Sequence, residues 1–378
     1  MVLTTATTSG SPDDPAGCQD GEQLLPINTA YSLSYKSKVF RQLHLCLYLS
    51  GLSSLYGWVR DKNKKESTAL ILMYHSVPDA SASPWIDPCN SLSPKIFERH
   101  VQYLASHCHV ISIDRLVQQL AGGEPIEPGT IAITFDDGYL DNLTVAAPIL
   151  AKYSLPATIY LATDYIDTGE NQWIDVLYTT FRSRSQHQLS LPELGTWQLT
   201  KPSVITQAYH TVALHLVQLT YPQRKNLLAT IKQQLAPTGC PPRLTMTWPD
   251  VQKLQQSYPN IMLGVHTASH LDLATHPDCT DTELRQSIYQ LETVTGERPL
   301  HMAFPYNRYS TEAQKQVAKY LRSAVAIAPD PVVRSHTSTY ALPRLEAPRS
   351  LLLLKSWTNS GFPSLSQKLL GCSWVRAN

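Results

Sequence analysis

Thr130-Ile131-Ala132-Ile133-Thr134-Phe135-Asp136-Asp137-Gly138 decides how the rest of the chain is read. Six apolar or β-branched residues predict a buried strand. Two carboxylates follow at once, and adjacent carboxylates at a strand end are costly unless one is neutralised, protonated or bound to a metal. Gly138 lets the backbone turn sharply or approach a ligand. The same residues also fit an ordinary strand–turn–helix corner with an Asp at the helix start.

The segments on either side repeat one rhythm. Upstream, 69–74 is a strand run. Ser93-Pro94 starts a helix with Ser as N-cap, and Phe97, Val101 and Leu104 give its apolar face. Residues 109–113 predict a second strand, with Asp114 capping the next helix. Downstream, Leu143, Ala147 and Leu150 mark a helix, Asp141-Asn142 begin it, and 157–161 is a fourth strand. From 165 to 243 the rhythm breaks. That stretch holds Trp173, Trp197 and a helical region around 205–235, and it is too long for a barrel loop. It is read as an inserted, mainly helical subdomain opened by Trp173 and Asp175. Thr247-Trp248-Pro249-Asp250 then starts a helix, and strands at 261–265, 301–304 and 323–328 alternate with helices at 282–294, closed by Gly296, and at 311–322. Residues 340–342 look like a last strand. The expected fold is α/β: a distorted β/α barrel of seven or eight parallel strands, with the active site at the strand C-terminal ends.

Composition narrows the function class. Lys and Arg number 31 against 30 Asp and Glu, a net charge of +1, which argues against nucleic-acid binding driven by bulk charge. The seven cysteines are dispersed without a CxxC pair, so reduced thiols in a cytosolic setting are expected rather than a disulfide framework or a cysteine zinc site. Residues 1–36 are rich in Thr, Ser, Pro and Gly and lack a basic segment followed by an apolar run. They read as a disordered leader, not a signal peptide, which places the chain in the cytoplasm. Residues 37–66 contain an apolar stretch, 43–59, flanked by bases. It fits an interfacial helix on an anionic membrane or a helix packed on the domain. Residues 67–348 form the catalytic unit and 349–378 a C-terminal extension.

Two further strand ends carry chemistry. In His266-Thr267-Ala268-Ser269-His270, two imidazoles four residues apart can converge on one ion if the segment turns helically. With a carboxylate from a neighbouring strand end they make a three-ligand set with open positions, suited to a divalent metal that activates water. His301-Met302-Ala303-Phe304-Pro305-Tyr306-Asn307 ends the next strand, where a Pro-Tyr turn closes the pocket and offers a backbone N–H to an oxyanion.

In this order the motifs resemble the polysaccharide deacetylase family (carbohydrate esterase family four, the NodB-homology domain). Thr134–Gly138 matches its TFDDG motif and His266–His270 its H-[ST]-x-x-H motif; Pro305 and Tyr306 match part of its third. Leu72-Met73-Tyr74-His75-Ser76-Val77 resembles the opening of the subgroup that de-N-acetylates exopolysaccharides and surface glycans. The resemblance implies that Asp136 is the general base, that Asp137, His266 and His270 hold the metal, and that the Tyr306 N–H stabilises the oxyanion. Zinc is the default for such a set, with Co2+, Ni2+ and Fe2+ also compatible. The implied substrate is an N-acetylated glycan of the N-acetylglucosamine type or its precursor.

Two departures follow. Ala303 stands where much of the family has an Arg that pairs with the base, and the late strand Leu342-Pro343-Arg344-Leu345-Glu346 lacks the family's general-acid His. His75 is the candidate acid, or else a brace for the base or its loop. Arg344 is the candidate to replace the missing Arg. Trp173 either stacks on a sugar or sits in the core. Two other functions stay open: a catalytically impaired glycan-binding or assembly protein, and a deacylase or amidase of a small non-glycan amide.

Overall fold

The computed structural model describes residues 68–360. Segments 1–36 and 43–59 and the end of the C-terminal extension lie outside the described residues. Among the described residues, no helix is long and apolar enough to cross a membrane.

The described residues form eleven strands: β1 (Ala69–Tyr74), β2 (His109–Val110), β3 (Thr130–Phe135), β4 (Ala157–Leu161), β5 (Gln188–Leu191), β6 (Gly195–Gln198), β7 (Ile261–Val265), β8 (His301–Ala303), β9 (Ser323–Ile327), β10 (Val332–Val333) and β11 (Leu342–Glu346). β1, β3, β4, β7, β8, β9 and β11 pair in parallel in that order, and β11 returns to β1. The result is a closed barrel of seven parallel strands.

The expected second strand is the exception. β2 is two residues long and pairs only with the first residues of β3, while β1 pairs directly with all of β3. Ser112, not Asp114, ends that strand run: its side chain caps the helix Ile113–Gly122 by accepting the Arg115 N–H. The chain therefore turns into a helix before 111–113 can extend the ladder.

Alternation along the strands sorts residues into two layers. Ala69, Ile71, Ala132, Tyr160, Ala303, Val325 and Leu342 form one cluster inside the barrel. Leu70, Leu72, Ile131, Ile133, Phe135, Ile159 and Leu161 face outward into a larger cluster under the helices. Asp136 continues the inward set of β3, and Arg344 that of β11. Gly264 on β7 has no room for a side chain: a Cβ there would meet the Tyr160 ring at 2.6 Å and the His301 carbonyl oxygen at 2.7 Å. Gly264→Ala is expected to lower stability by about 1–3 kcal/mol through overpacking, read by denaturant unfolding.

The stretch between β4 and β7 builds a second core of its own, including Leu177, Phe181, Tyr209, Leu216, Leu228 and Ile231. Its helices are Trp173–Arg182, Pro202–Val217 and Tyr221–Leu235. It also contains the antiparallel hairpin β5–β6, which the expectation of a mainly helical insert omitted. Cys240 is disulfide-bonded, whereas Cys89, Cys108 and Cys279 are free. This corrects the expectation of reduced thiols throughout; spacing alone does not say which cysteines meet in space.

Candidate active site

The C-terminal ends of β1, β3, β7, β8 and β11 meet the inserted subdomain around one cleft. His75, Asp136, Asp137, His266, His270 and Asn307 line its polar side; Trp173, Ile174, Ala213, Leu214 and Val217 from the insert line the apolar side.

Asp136 is buried and both its oxygens are taken by one residue. Arg344 Nη1 donates to Oδ1 at 2.7 Å and Nη2 to Oδ2 at 2.5 Å. Arg344 itself is fully buried, with its guanidinium 5.9 Å from the centre of the Tyr160 ring. A fork-to-carboxylate pair of this kind is the strong, directional form of the interaction. Burial alone would raise the Asp136 carboxyl; the Arg344 charge and then His266 outweigh it and hold it below the usual carboxylate range. The guanidinium absent at Ala303 is thus supplied two strands on, from β11. Ala303 contributes its carbonyl instead, which accepts from His266 Nδ1 at 2.8 Å.

That hydrogen bond fixes the His266 tautomer. A carbonyl only accepts, so Nδ1 carries the proton and the neutral ring presents an Nε2 lone pair. Burial pushes the imidazole down to about 4, which keeps it neutral at physiological pH. Nε2 stands 3.6 Å from Asp137 Oδ1 and 3.8 Å from Asp136 Oδ2. His270 Nε2 lies 3.2 Å from the same Asp137 oxygen, and the two imidazoles are 4.7 Å apart, nearly perpendicular. The ligand atoms of Asp137, His266 and His270 all fall within 4.8 Å of one another.

The set fits a cation. Asp137 Oδ1 is buried, has His270 Nε2 at 3.2 Å, and also faces an acceptor, His266 Nε2, at 3.6 Å. Two lone pairs facing each other in a dry site repel unless positive charge lies between them. One carboxylate and two imidazoles are the donor set of an open catalytic zinc site.

The local backbone is specialised to make this happen. Asp137, Thr267, His270, Tyr306 and Asn307 all have positive φ, between 55° and 75°, and non-glycine residues in this region cost on the order of 1–3 kcal/mol each unless their surroundings over-determine them. Gly138, with φ 76°, follows Asp137; a Cβ there would meet Leu161 at 2.8 Å and Ile166 at 2.9 Å.

The other expected residues are placed as follows. His75 follows β1, lines the cleft, and accepts from Asn142 Nδ2 through its carbonyl at 2.8 Å. Asp141 sits at the helix start, as expected, and accepts from Val77 N–H at 2.8 Å and Ser76 Oγ at 2.5 Å, which anchors the loop that carries His75. Tyr306 lines the cleft. Pro305 is buried at the start of the turn that carries Tyr306. Trp173 reaches the cleft but is only 5% exposed, and its Nε1 donates to Tyr306 Oη at 2.9 Å. Trp248 begins a helix with the capping box Thr247–Asp250. Asp175 is buried among Tyr139 Oη and the Asp87 N–H, both of which donate to it.

Three residues were missed. Glu283 accepts from Ser269 N–H at 2.9 Å and Oγ at 2.7 Å. Asn307 Oδ1 accepts from Ile327 N–H at 2.9 Å and lies 3.4 Å from Arg344 Nη2. Arg224, from the insert, donates Nη1 to Tyr306 Oη at 2.8 Å and to the His270 carbonyl at 3.2 Å, and Nη2 to the Ser269 carbonyl at 3.2 Å. Asn307 closes the quoted stretch 301–307 but was given no role, and no local motif marks Glu283 or Arg224.

A seven-stranded parallel barrel with a carboxylate–bisimidazole site and a guanidinium-paired Asp beside it defines a class of barrel hydrolase-like proteins. The polysaccharide deacetylase family profile matches residues 123–324, more than half of the chain, and the chain belongs to that family. Bacillus subtilis (strain 168) YxkH, whose name places it among the polysaccharide deacetylases, is 30% identical over 106 residues; the match spans 28% of this chain and 35% of YxkH. Among solved structures, the Streptococcus pyogenes deacetylase PplD in complex with acetate superposes with TM-score 0.53 at 17% identity, covering 77% of this chain and 99% of that one. IcaB from Ammonifex degensii gives TM-score 0.51 at 12% identity, covering 78% and 97%. At these identities the two structures share the fold.

Proposed function

We propose that the protein removes N-acetyl groups from an N-acetylglucosamine-type glycan or its precursor, by a metal-dependent hydrolysis. The observation that carries this reading is the buried pair Asp136–Arg344 set beside the convergent Asp137, His266 and His270. Asp137, His266 and His270 would hold a divalent cation, zinc by default. Such a cation supplies Lewis acidity and brings the pKa of a water toward about 7.

The chain's own groups do the rest. Asp136 takes a proton from the attacking water; its low proton affinity, set by Arg344, keeps it ionised and ready. The amide carbonyl becomes a tetrahedral oxyanion, which the Tyr306 backbone N–H is proposed to stabilise. His75 gives a proton to the departing nitrogen, so the C–N bond breaks to acetate and a free amine. Trp173 and the apolar wall of the insert shelter the reacting centre from bulk water.

Placement in the cytoplasm, with residues 43–59 against the inner membrane face, belongs to the same proposal and points to a precursor acted on before export. Secretion of the mature protein would overturn the placement. The test of function is a substrate comparison with Asp136→Asn as control. Acetate release from N-acetylglucosamine oligomers is expected, falling by about 10²–10⁴-fold in the variant. Turnover of small cyclic amides alone would reassign the substrate. Metal binding without turnover of any acylated compound would make this a binding or assembly protein.

A further inference from the structure

We propose that Arg224 is a positioning residue of the metal centre, so that the inserted subdomain is a structural part of that centre rather than only a wall of the cleft. The inference rests on the metal-site reading given above. Arg224 lies on the helix Tyr221–Leu235, 1% exposed. Its guanidinium reaches across to the loop that carries both imidazoles. There it binds the carbonyls of Ser269 and His270, and it lies 5.7 Å from the centre of the Trp173 ring. Its third partner, Tyr306 Oη, also accepts from Trp173 and donates to the His270 carbonyl at 3.2 Å.

The loop is gripped from two sides with opposite charge. Glu283 holds the N–H and hydroxyl of Ser269, and Arg224 holds the carbonyls of Ser269 and His270. Between these grips His270 adopts φ 55°, the conformation that turns its Nε2 toward Asp137. Among the described residues, no other cation hydrogen-bonds the Ser269 and His270 carbonyls. The Tyr306 ring, held by the same guanidinium, packs edge-on against His270 at 4.6 Å and restrains the imidazole. Arg224 therefore touches neither the metal nor the substrate. It acts through the backbone of one ligand and the ring beside it.

The test measures Co2+ binding to the full chain by competition with a chromophoric chelator, together with the visible spectrum of the Co2+-loaded protein. Arg224→Ala, Arg224→Lys and Tyr306→Phe are compared with the unaltered chain. Removing a partner that orients a metal ligand typically weakens metal affinity by about 10–100-fold. That weakening and an altered Co2+ spectrum are expected for Arg224→Ala, with kcat reduced more than KM is changed. Arg224→Lys should recover part of the affinity, since charge remains but the fork is lost, and Tyr306→Phe should shift in the same direction by less. If Arg224→Ala fails to fold, the other two variants decide. Wild-type affinity and spectrum in the folded variants, with loss confined to thermal stability, would overturn the inference. An unaltered chain that fails to bind Co2+ would instead bring down the metal-site reading on which it rests.

Discussion

Replacing Arg344 by Met should destabilise the protein by about 3–5 kcal/mol, because it strands a buried carboxylate without its only bidentate partner. Asp136 is 2% exposed and Arg344 fully buried, so the guanidinium's two hydrogen bonds are lost in a largely desolvated place. The pH dependence identifies the cause. With Arg344 present, the carboxyl sits below its ordinary range and is ionised throughout the working pH. A depressed folded-state pKa contributes stability above the unfolded value of about 3.9 and loses it as the pH falls through the folded value. Without Arg344, burial dominates and the folded pKa moves above the unfolded one. Asp136 then takes up a proton as the pH falls, and the penalty shrinks. The stability gap between wild type and Arg344→Met should therefore be larger at pH 7.5 than at pH 4.5. In kinetics the acid limb of kcat/KM should move to higher pH, since the proposed base is protonated over a wider range. Arg344→Lys should fall between, keeping the charge and losing the fork. Urea denaturation at two pH values and a pH–rate profile check both halves. A uniform loss at all pH values would mean that Arg344 only fills space.

The second large effect is expected at the ligand set. His266→Ala should lower acetate release by at least about 10³-fold, since a metal's contribution is several kcal/mol and each 1.36 kcal/mol is tenfold. Stability of the metal-free chain should fall by less than in the Arg344 variant. In the metal-free chain His266 Nε2 faces acceptors on both Asp136 and Asp137, so removing the ring relieves that apposition and offsets part of the cavity left behind. Added Zn2+ should raise the melting temperature of the wild type, by binding the native state alone, and leave His266→Ala unmoved. Differential scanning fluorimetry with and without Zn2+ separates these outcomes.

The barrel was legible in the sequence because its strands are continuous apolar runs ending in chemistry. Thr130–Phe135 followed by Asp136 and Asp137 is the clearest case, and the two imidazoles of 266–270 fall at the matching end of β7. The second strand was misread because 109–113 has strand-like composition, while the Ser112 cap diverts the chain into a helix. β1 closes on β3 without it, a decision made by tertiary pairing rather than by local propensity. The hairpin Gln188–Gln198 is short and half exposed and gave way to the longer helical signals around it. Arg344 could be reached by reasoning from an absence: with Ala303 in the usual position, the inward alternation of the last strand left one guanidinium to consider. Arg224 could not. It meets its partners 45 to 82 residues away in sequence, and an arginine on a helix of an insert looks like a solvated charge until the insert is folded onto the barrel.

In the function proposed above, Asp137, His266 and His270 hold a metal that works with Asp136 in amide hydrolysis. The most direct measurement is acetate release from N-acetylglucosamine oligomers by the purified chain, first stripped with chelator and then titrated with Zn2+. No release is expected from the stripped protein, with recovery that saturates at one ion per chain. Undiminished release from the stripped protein would contradict it.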